Sequence, residues 1–93
     1  MRIIWDARAV QDLREIRAFI AADKPAAAAH VAKHIKISVR RLSKFPSMGR
    51  HTTRPNIRKL SIPGTPFAVY YRLLADAVEI LAVLHGARRR FPT

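Results

Sequence analysis

The chain has no cysteine, which excludes disulfide cross-links and thiolate metal sites and fits a reducing compartment. Its only glycines, Gly49, Gly64 and Gly86, lie far apart, so no glycine-rich phosphate loop can be assembled. No apolar run reaches membrane-spanning length, and the opening "MRIIWDARAV" lacks the long apolar core of a signal peptide. A soluble, cytoplasmic protein with no membrane partner is expected. Carboxylates are scarce and segregated: Asp6, Asp12, Glu15 and Asp23 near one end, Asp76 and Glu79 near the other, and none between Lys24 and Ala75. That gap argues against paired-carboxylate hydrolysis in the middle of the chain, and no serine sits in a recognisable nucleophile motif.

What is present is positive charge on a modest core. At 93 residues the chain is one domain spanning residues 1–93, near the size that buries only about 60–65% of its unfolded surface. An apolar fraction of 49% is enough for a real core, and a partner covering further apolar surface would add stability. Net charge is +12, and eleven Lys or Arg fall in the acid-free stretch. Such a field favours nucleic acid, the ribosome or an acidic protein partner, although a merely solvated basic surface has the same composition.

The spacing of apolar residues outlines the elements. "MRIIW" reads as a first strand, with Asp6 as an N-cap. Ala9, Leu13, Ile16 and Ile20 recur at helical spacing, and the helix should stop near Asp23 because Lys24 precedes a proline. Pro25 opens a second helix whose stripe runs Ala28, Val31, Ile35, Val39, Leu42 and Phe45. So short a connection predicts an antiparallel helical hairpin. "PSMGRHTTRPN", residues 46–56, reads as a loop. Three strands follow: "IRKLSI", with Arg58, Leu60 and Ile62 on one side, then "FAVYYRLLA" and "AVEILAVLH" with a hairpin at Ala75 and Asp76. The last strand is apolar on both faces, as expected of an interior strand. The expected fold is α+β: an N-terminal strand, a helical hairpin, then a three-stranded antiparallel meander, with the helices on one sheet face. A basic tail follows from about residue 86.

Few residues suggest chemistry. His30 and His34 stand one helical turn apart, a spacing that can hold a metal, but they flank the core stripe without carboxylates nearby. Neither a metal nor a cofactor is expected. Metal-free RNA cleavage needs a base for the 2′-hydroxyl, cations for the phosphorane and an acid for the leaving oxygen. His51, His85, Arg58, Lys59, Arg72 and Arg88 to Arg90 are candidates for those roles. By strict period two, His85 shares a face with Glu79, Leu81 and Val83. Arg58, on the side of Leu60 and Ile62, must reach the sheet rim or find a partner. A strand-end histidine can equally be structural. Trp5, Phe67, Tyr70 and Tyr71 could stack on bases, but strand aromatics usually pack a core.

The ordered set of short motifs resembles the RelE/ParE superfamily of type II toxin–antitoxin toxins over essentially the whole chain. The carriers are "W-D-x-R-A-x-x-D-L-x-x-I" (Trp5 to Ile16), "P-A-A-A" after the first helix, "F-P-x-M-G-R" (Phe45 to Arg50), "I-R-K-L" (Ile57 to Leu60), "I-P-G-T-P-F-x-V-x-Y-R" (Ile62 to Arg72) and "V-E-I-L-x-V-L-H-G-A-R-R" (Val78 to Arg89). The resemblance implies a small curved sheet against a helical hairpin, growth inhibition, and neutralisation by a cognate antitoxin supplying an acidic or amphipathic segment. DNA would be contacted only through that antitoxin. It also implies one of two targets. ParE-like members act on DNA gyrase without cutting RNA; RelE-like members cut messenger RNA on the ribosome. His85 and Arg88 match residues of many ParE-like sequences, and Phe91 cannot transfer a proton as the RelE-type tyrosine does. The resemblance therefore favours gyrase inhibition, with ribosome-dependent RNA cleavage as the alternative. In that alternative His85, Arg58 and Arg88 would be catalytic. Arg50, Arg72, Arg89 and Arg90 are the candidates to touch target or phosphate.

Overall fold

β1 (Arg2–Trp5) passes directly into α1 (Ala7–Ala21), and Asp6 makes the change of direction possible. Its backbone N–H donates to Ile80 O at 2.9 Å, prolonging the strand ladder by one bond. Its carboxylate accepts from the Arg8 N–H at 3.0 Å, satisfying one of the free donors at the helix start. α1 ends at Ala21, two residues before the expected stop. Lys24 then leaves the helical region (φ −135°, ψ 84°) ahead of Pro25, the first residue of α2 (Pro25–Arg41). α2 carries Arg40 and Arg41 in its last turn, where cations suit the negative end of the helix dipole.

The computed structural model describes residues 1–86, and the calls on Arg88, Arg89, Arg90 and Phe91 lie outside them. Four further strands follow the hairpin: β2 (Arg50–His51), β3 (Ile57–Ser61), β4 (Phe67–Leu73) and β5 (Ala77–His85). Their order in the sheet is β1-β5-β4-β3-β2. β1 runs parallel to β5 and the other neighbours are antiparallel. The sheet therefore adds one strand to the expected four. β2 is only two residues long, inside a stretch dense in turn residues, and no periodicity betrays so short a piece. Between β3 and β4, Thr65 N–H bonds to Ile62 O, with Pro63 second and Gly64 third at φ 75°. That is a type II turn, whose third position needs the positive φ that glycine tolerates.

Ile35 and Val39 from α2, Leu42 at its C-cap and Ala9 from α1 pack on Ile62, Val69, Tyr71, Val78, Ile80 and Val83. The α2 stripe ends there, because Phe45 lies beyond the helix and is 59% exposed. On the other sheet face Ile57, Tyr70 and Ala82 form a smaller cluster flanked by Leu81 and Leu84. Apolar residues on both faces of β5 match its interior position, as expected.

Strict alternation fails at one point in β5. Tyr70 pairs with Ala82 but Tyr71 pairs with Ile80, so Leu81 is an extra, bulged residue. Beyond the bulge every side chain changes face. His85 therefore shares the helix-side face with Val83, while Glu79 and Leu81 do not.

Candidate functional site

At the end of the sheet nearest the β4–β5 turn, a buried tyrosine and an arginine hold a loop. Tyr71 is fully buried on β4, and a buried hydroxyl needs partners. It donates to Pro46 O at 2.8 Å and accepts from the Gly49 N–H at 2.8 Å. Arg58, opposite Tyr71 on β3, donates through Nη1 to Gly49 O at 2.7 Å and Ser47 O at 3.3 Å. The partner that a guanidinium on this face requires is thus the loop backbone. A Cβ on Gly49 would lie 2.6 Å from the Tyr71 hydroxyl oxygen and 2.7 Å from Cε1, so only glycine allows this approach. Burial pushes the Tyr71 phenol above its ordinary range, with the Gly49 N–H and the Arg58 charge pulling the other way. His51 stands opposite Arg58 on β2 and is exposed, so His51, rather than His85, is Arg58's cross-strand histidine.

On the opposite face, Arg50, Lys59 and Tyr70 occupy one row across β2, β3 and β4. The Lys59 ammonium lies 5.8 Å from the Tyr70 ring centroid and donates to Gly86 O at 2.9 Å. Arg72 is two residues beyond Tyr70 on that face and pairs with Glu79. The structure thus brings Arg50, Lys59 and Arg72 together, with one carboxylate, Glu79, among them.

The far end of the sheet is built differently. β1 stops opposite Ile80, and among the described residues the rest of that β5 edge has no strand neighbour. Asp12 of α1 fills part of the gap, accepting from the Val83 N–H at 3.0 Å, with Arg8 3.8 Å from the same carboxylate oxygen. His85 ends β5 exposed, edge-on to Phe67 with ring centroids 6.0 Å apart. A shallow depression beside it is lined by Asp12, Glu15, Ile16, Phe67 and His85. Arg58 and His85 do not meet. They are two strands apart, about 10 Å, and offset along the strands by the four steps from Tyr71 to Phe67, about 13 Å.

A third feature lies between the helices. Ile3, Trp5, Leu13 and Val39 floor an open groove of about 470 Å³, and Arg14, Arg17, Lys36 and Arg40 rim it. On the outer surface of α2 the His30 and His34 rings are in contact, centroids 4.2 Å apart. Among the described residues no three histidines, cysteines or carboxylates cluster as a metal site, and no helix is long and apolar enough to cross a membrane.

Sequence reasoning missed Tyr71 and Gly49 as a pair, and Asp12 as the cap on β5. A polar tip on an otherwise core strand residue was the one available signal for Tyr71.

Comparison with known proteins agrees with this architecture. A family model described as the ParE toxin of type II toxin–antitoxin systems, parDE, matches residues 3–90. Protein Y4kP of Sinorhizobium fredii is 40% identical over 91 residues, covering 98% of this chain and 93% of its own. Toxin RelE2 of Caulobacter vibrioides is 30% identical over 87 residues, covering 94% and 97%. A solved structure of the chromosomal ParDE system from P. aeruginosa superposes with a TM-score of 0.81 at 24% identity, covering 89% of this chain and 92% of that one. At that identity the likeness concerns the fold.

Proposed function

The chain belongs to the ParE toxin family of type II toxin–antitoxin systems, and from that premise we propose that it arrests growth by binding DNA gyrase, with no bond broken by its own side chains. The observation carrying this reading is the use made of Arg58. Its guanidinium is taken up by two loop carbonyls, and it lies far from His85 across the sheet. General acid–base cleavage requires base, cation and acid around one phosphate. Among the described residues the cations and histidines named from the sequence are spread over two faces and two ends. Binding to a protein target needs no such convergence. The site of action is then cytoplasmic.

Neutralisation falls to a cognate antitoxin, and the groove between α1 and α2 is where an acidic amphipathic segment fits. Its apolar floor accepts the segment's apolar face, and Arg14, Arg17, Lys36 and Arg40 face the segment's carboxylates. DNA is contacted through the antitoxin alone.

One arrangement favours the second reading, ribosome-dependent RNA cleavage. His51 stands across from Arg58, and the Arg50, Lys59 and Arg72 face suits phosphate. Two assays separate the readings. Supercoiling by purified gyrase should stop at near-stoichiometric toxin, while ribosome-bound messages stay intact by primer extension. His51→Ala and His85→Ala should both retain the gyrase effect. An unaffected supercoiling rate, or decoding-site cuts abolished by either substitution, overturns the gyrase reading.

A further inference from the structure

Seven large apolar side chains are exposed among the described residues, and five of them gather at one end of the domain: Met1, Phe45, Met48, Leu73 and Leu74. Their common location follows from the backbone. The Met1 ammonium donates to Ser43 O at 2.9 Å, which sets the chain start beside the segment leading to Phe45. β1 begins at this end, where Arg2 pairs with Ala77. Leu74 N–H bonds to Ala77 O in the β4–β5 turn, and Leu73 follows Tyr71 by two residues on the same face. Tyr71 in turn holds the loop carrying Met48.

Phe45 is 59% exposed and Met48 39% exposed, yet the loop between them is firmly tied to the sheet. Two bonds from Tyr71 and two from Arg58 fix the backbone at Pro46, Ser47 and Gly49. Apolar side chains shown on a preorganised backbone lose little conformational freedom on binding. A cluster of this kind marks a contact surface. The neighbouring charges define its partner. Arg41, Lys44 and Arg50 are exposed around the loop. Asp76, at the same end, is already engaged by Arg2 at 3.7 Å.

We propose that the end of the domain centred on Phe45 and Met48 is the surface by which the toxin grips its protein target, and that it docks against an apolar pocket rimmed by carboxylates. This rests on the reading above that the target is a protein. A second copy of the chain is a poor occupant, because each carries a net charge of +12 and the same cations would face one another. The hairpin groove assigned to the antitoxin is lined by other residues, so the two surfaces can be separated by substitution.

The test is the double substitution Phe45→Ala with Met48→Ala. Both side chains are exposed, so its thermal unfolding should match that of the parent. Purified gyrase is the probe, and the readout is the toxin concentration that halves supercoiling. The double variant should need at least tenfold more, with antitoxin binding unchanged. Equal potency overturns the proposal, as does a parallel loss of antitoxin binding, which would assign the surface to the antitoxin. A wild-type dimer in sedimentation that the double variant dissolves also overturns it. If the wild-type chain leaves gyrase untouched, the gyrase reading falls and growth arrest decides the surface. Arrest lost in the double variant with antitoxin binding intact upholds it, and undiminished arrest overturns it.

Discussion

The two ends of the sheet both carry polar, chemically versatile side chains and use them in opposite ways. Near the β4–β5 turn, Tyr71 and Arg58 turn inward and their polar groups serve the backbone of the loop from Pro46 to Gly49. At the far end His85 is exposed at the rim, and the backbone there is served by the Asp12 carboxylate arriving from α1. One end is closed by side chains from the sheet, the other by a side chain from a helix. The contrast teaches that a reactive residue type does not reveal its role. Where its polar end goes does. Arg58, a candidate by residue type, has its guanidinium on the loop carbonyls of Ser47 and Gly49, while Asp12 looks like a helix-surface acid and caps a strand.

The sharpest way to break this comparison is Gly49→Ala. The new methyl would fall within van der Waals distance of the Tyr71 ring, and both loop bonds to that hydroxyl would be lost or strained. A loss of roughly 3 kcal/mol in denaturant unfolding is expected. A near-neutral result would mean that the loop is not locked. Asp12→Ala tests the far end. It leaves the Val83 N–H without its acceptor and should remove about 2 kcal/mol, whereas Asp12→Asn keeps an acceptor oxygen and should recover most of it. Equal loss in both would point to the carboxylate's charge beside Arg8 instead.

Tyr71→Phe should have the smallest effect, about 1–2 kcal/mol, because the ring still fills its place in the core. Its distinctive signature is in alkali. The folded chain holds the phenolic proton more tightly than the unfolded chain does, since burial raises its pKa. That stabilising contribution is complete below about pH 10, the ordinary phenol value, and is lost as pH climbs through the folded value. Unfolding measured against pH should show the parent weakening above that point more steeply than Tyr71→Phe. Parallel curves would mean that the hydroxyl is not buried as described.

Much of the architecture was legible beforehand. Helix periodicity and the Lys24–Pro25 step located the hairpin, and the alternation of Arg58, Leu60 and Ile62 placed β3 with its correct face inward. β2 was not legible, because two residues carry no pattern and its pairing with β3 is the whole of its identity. The bulge at Leu81 was not legible either. No glycine or proline marks it, and an apolar residue on either side of an interior strand reads the same. The arrangement of the candidate site residues was not legible. Arg50 and Arg72 do share a face, but Arg58 and His85 lie at opposite ends of the other one.

Composition and periodicity by themselves determined a small, strongly basic α+β domain with one helical hairpin and a sheet whose last strand is interior. These follow from short-range rules: apolar spacing, proline geometry and the distribution of charge along the chain. Only the tertiary structure decided which face His85 occupies, where the Arg58 charge is satisfied, and why Gly49 must lack a side chain. Each of those depends on contacts between residues far apart in sequence, such as the 22 positions separating Gly49 from Tyr71 or the 71 separating Asp12 from Val83. A buried hydroxyl or an unpaired N–H requires a partner, but the requirement does not say which one, and the fold supplies it.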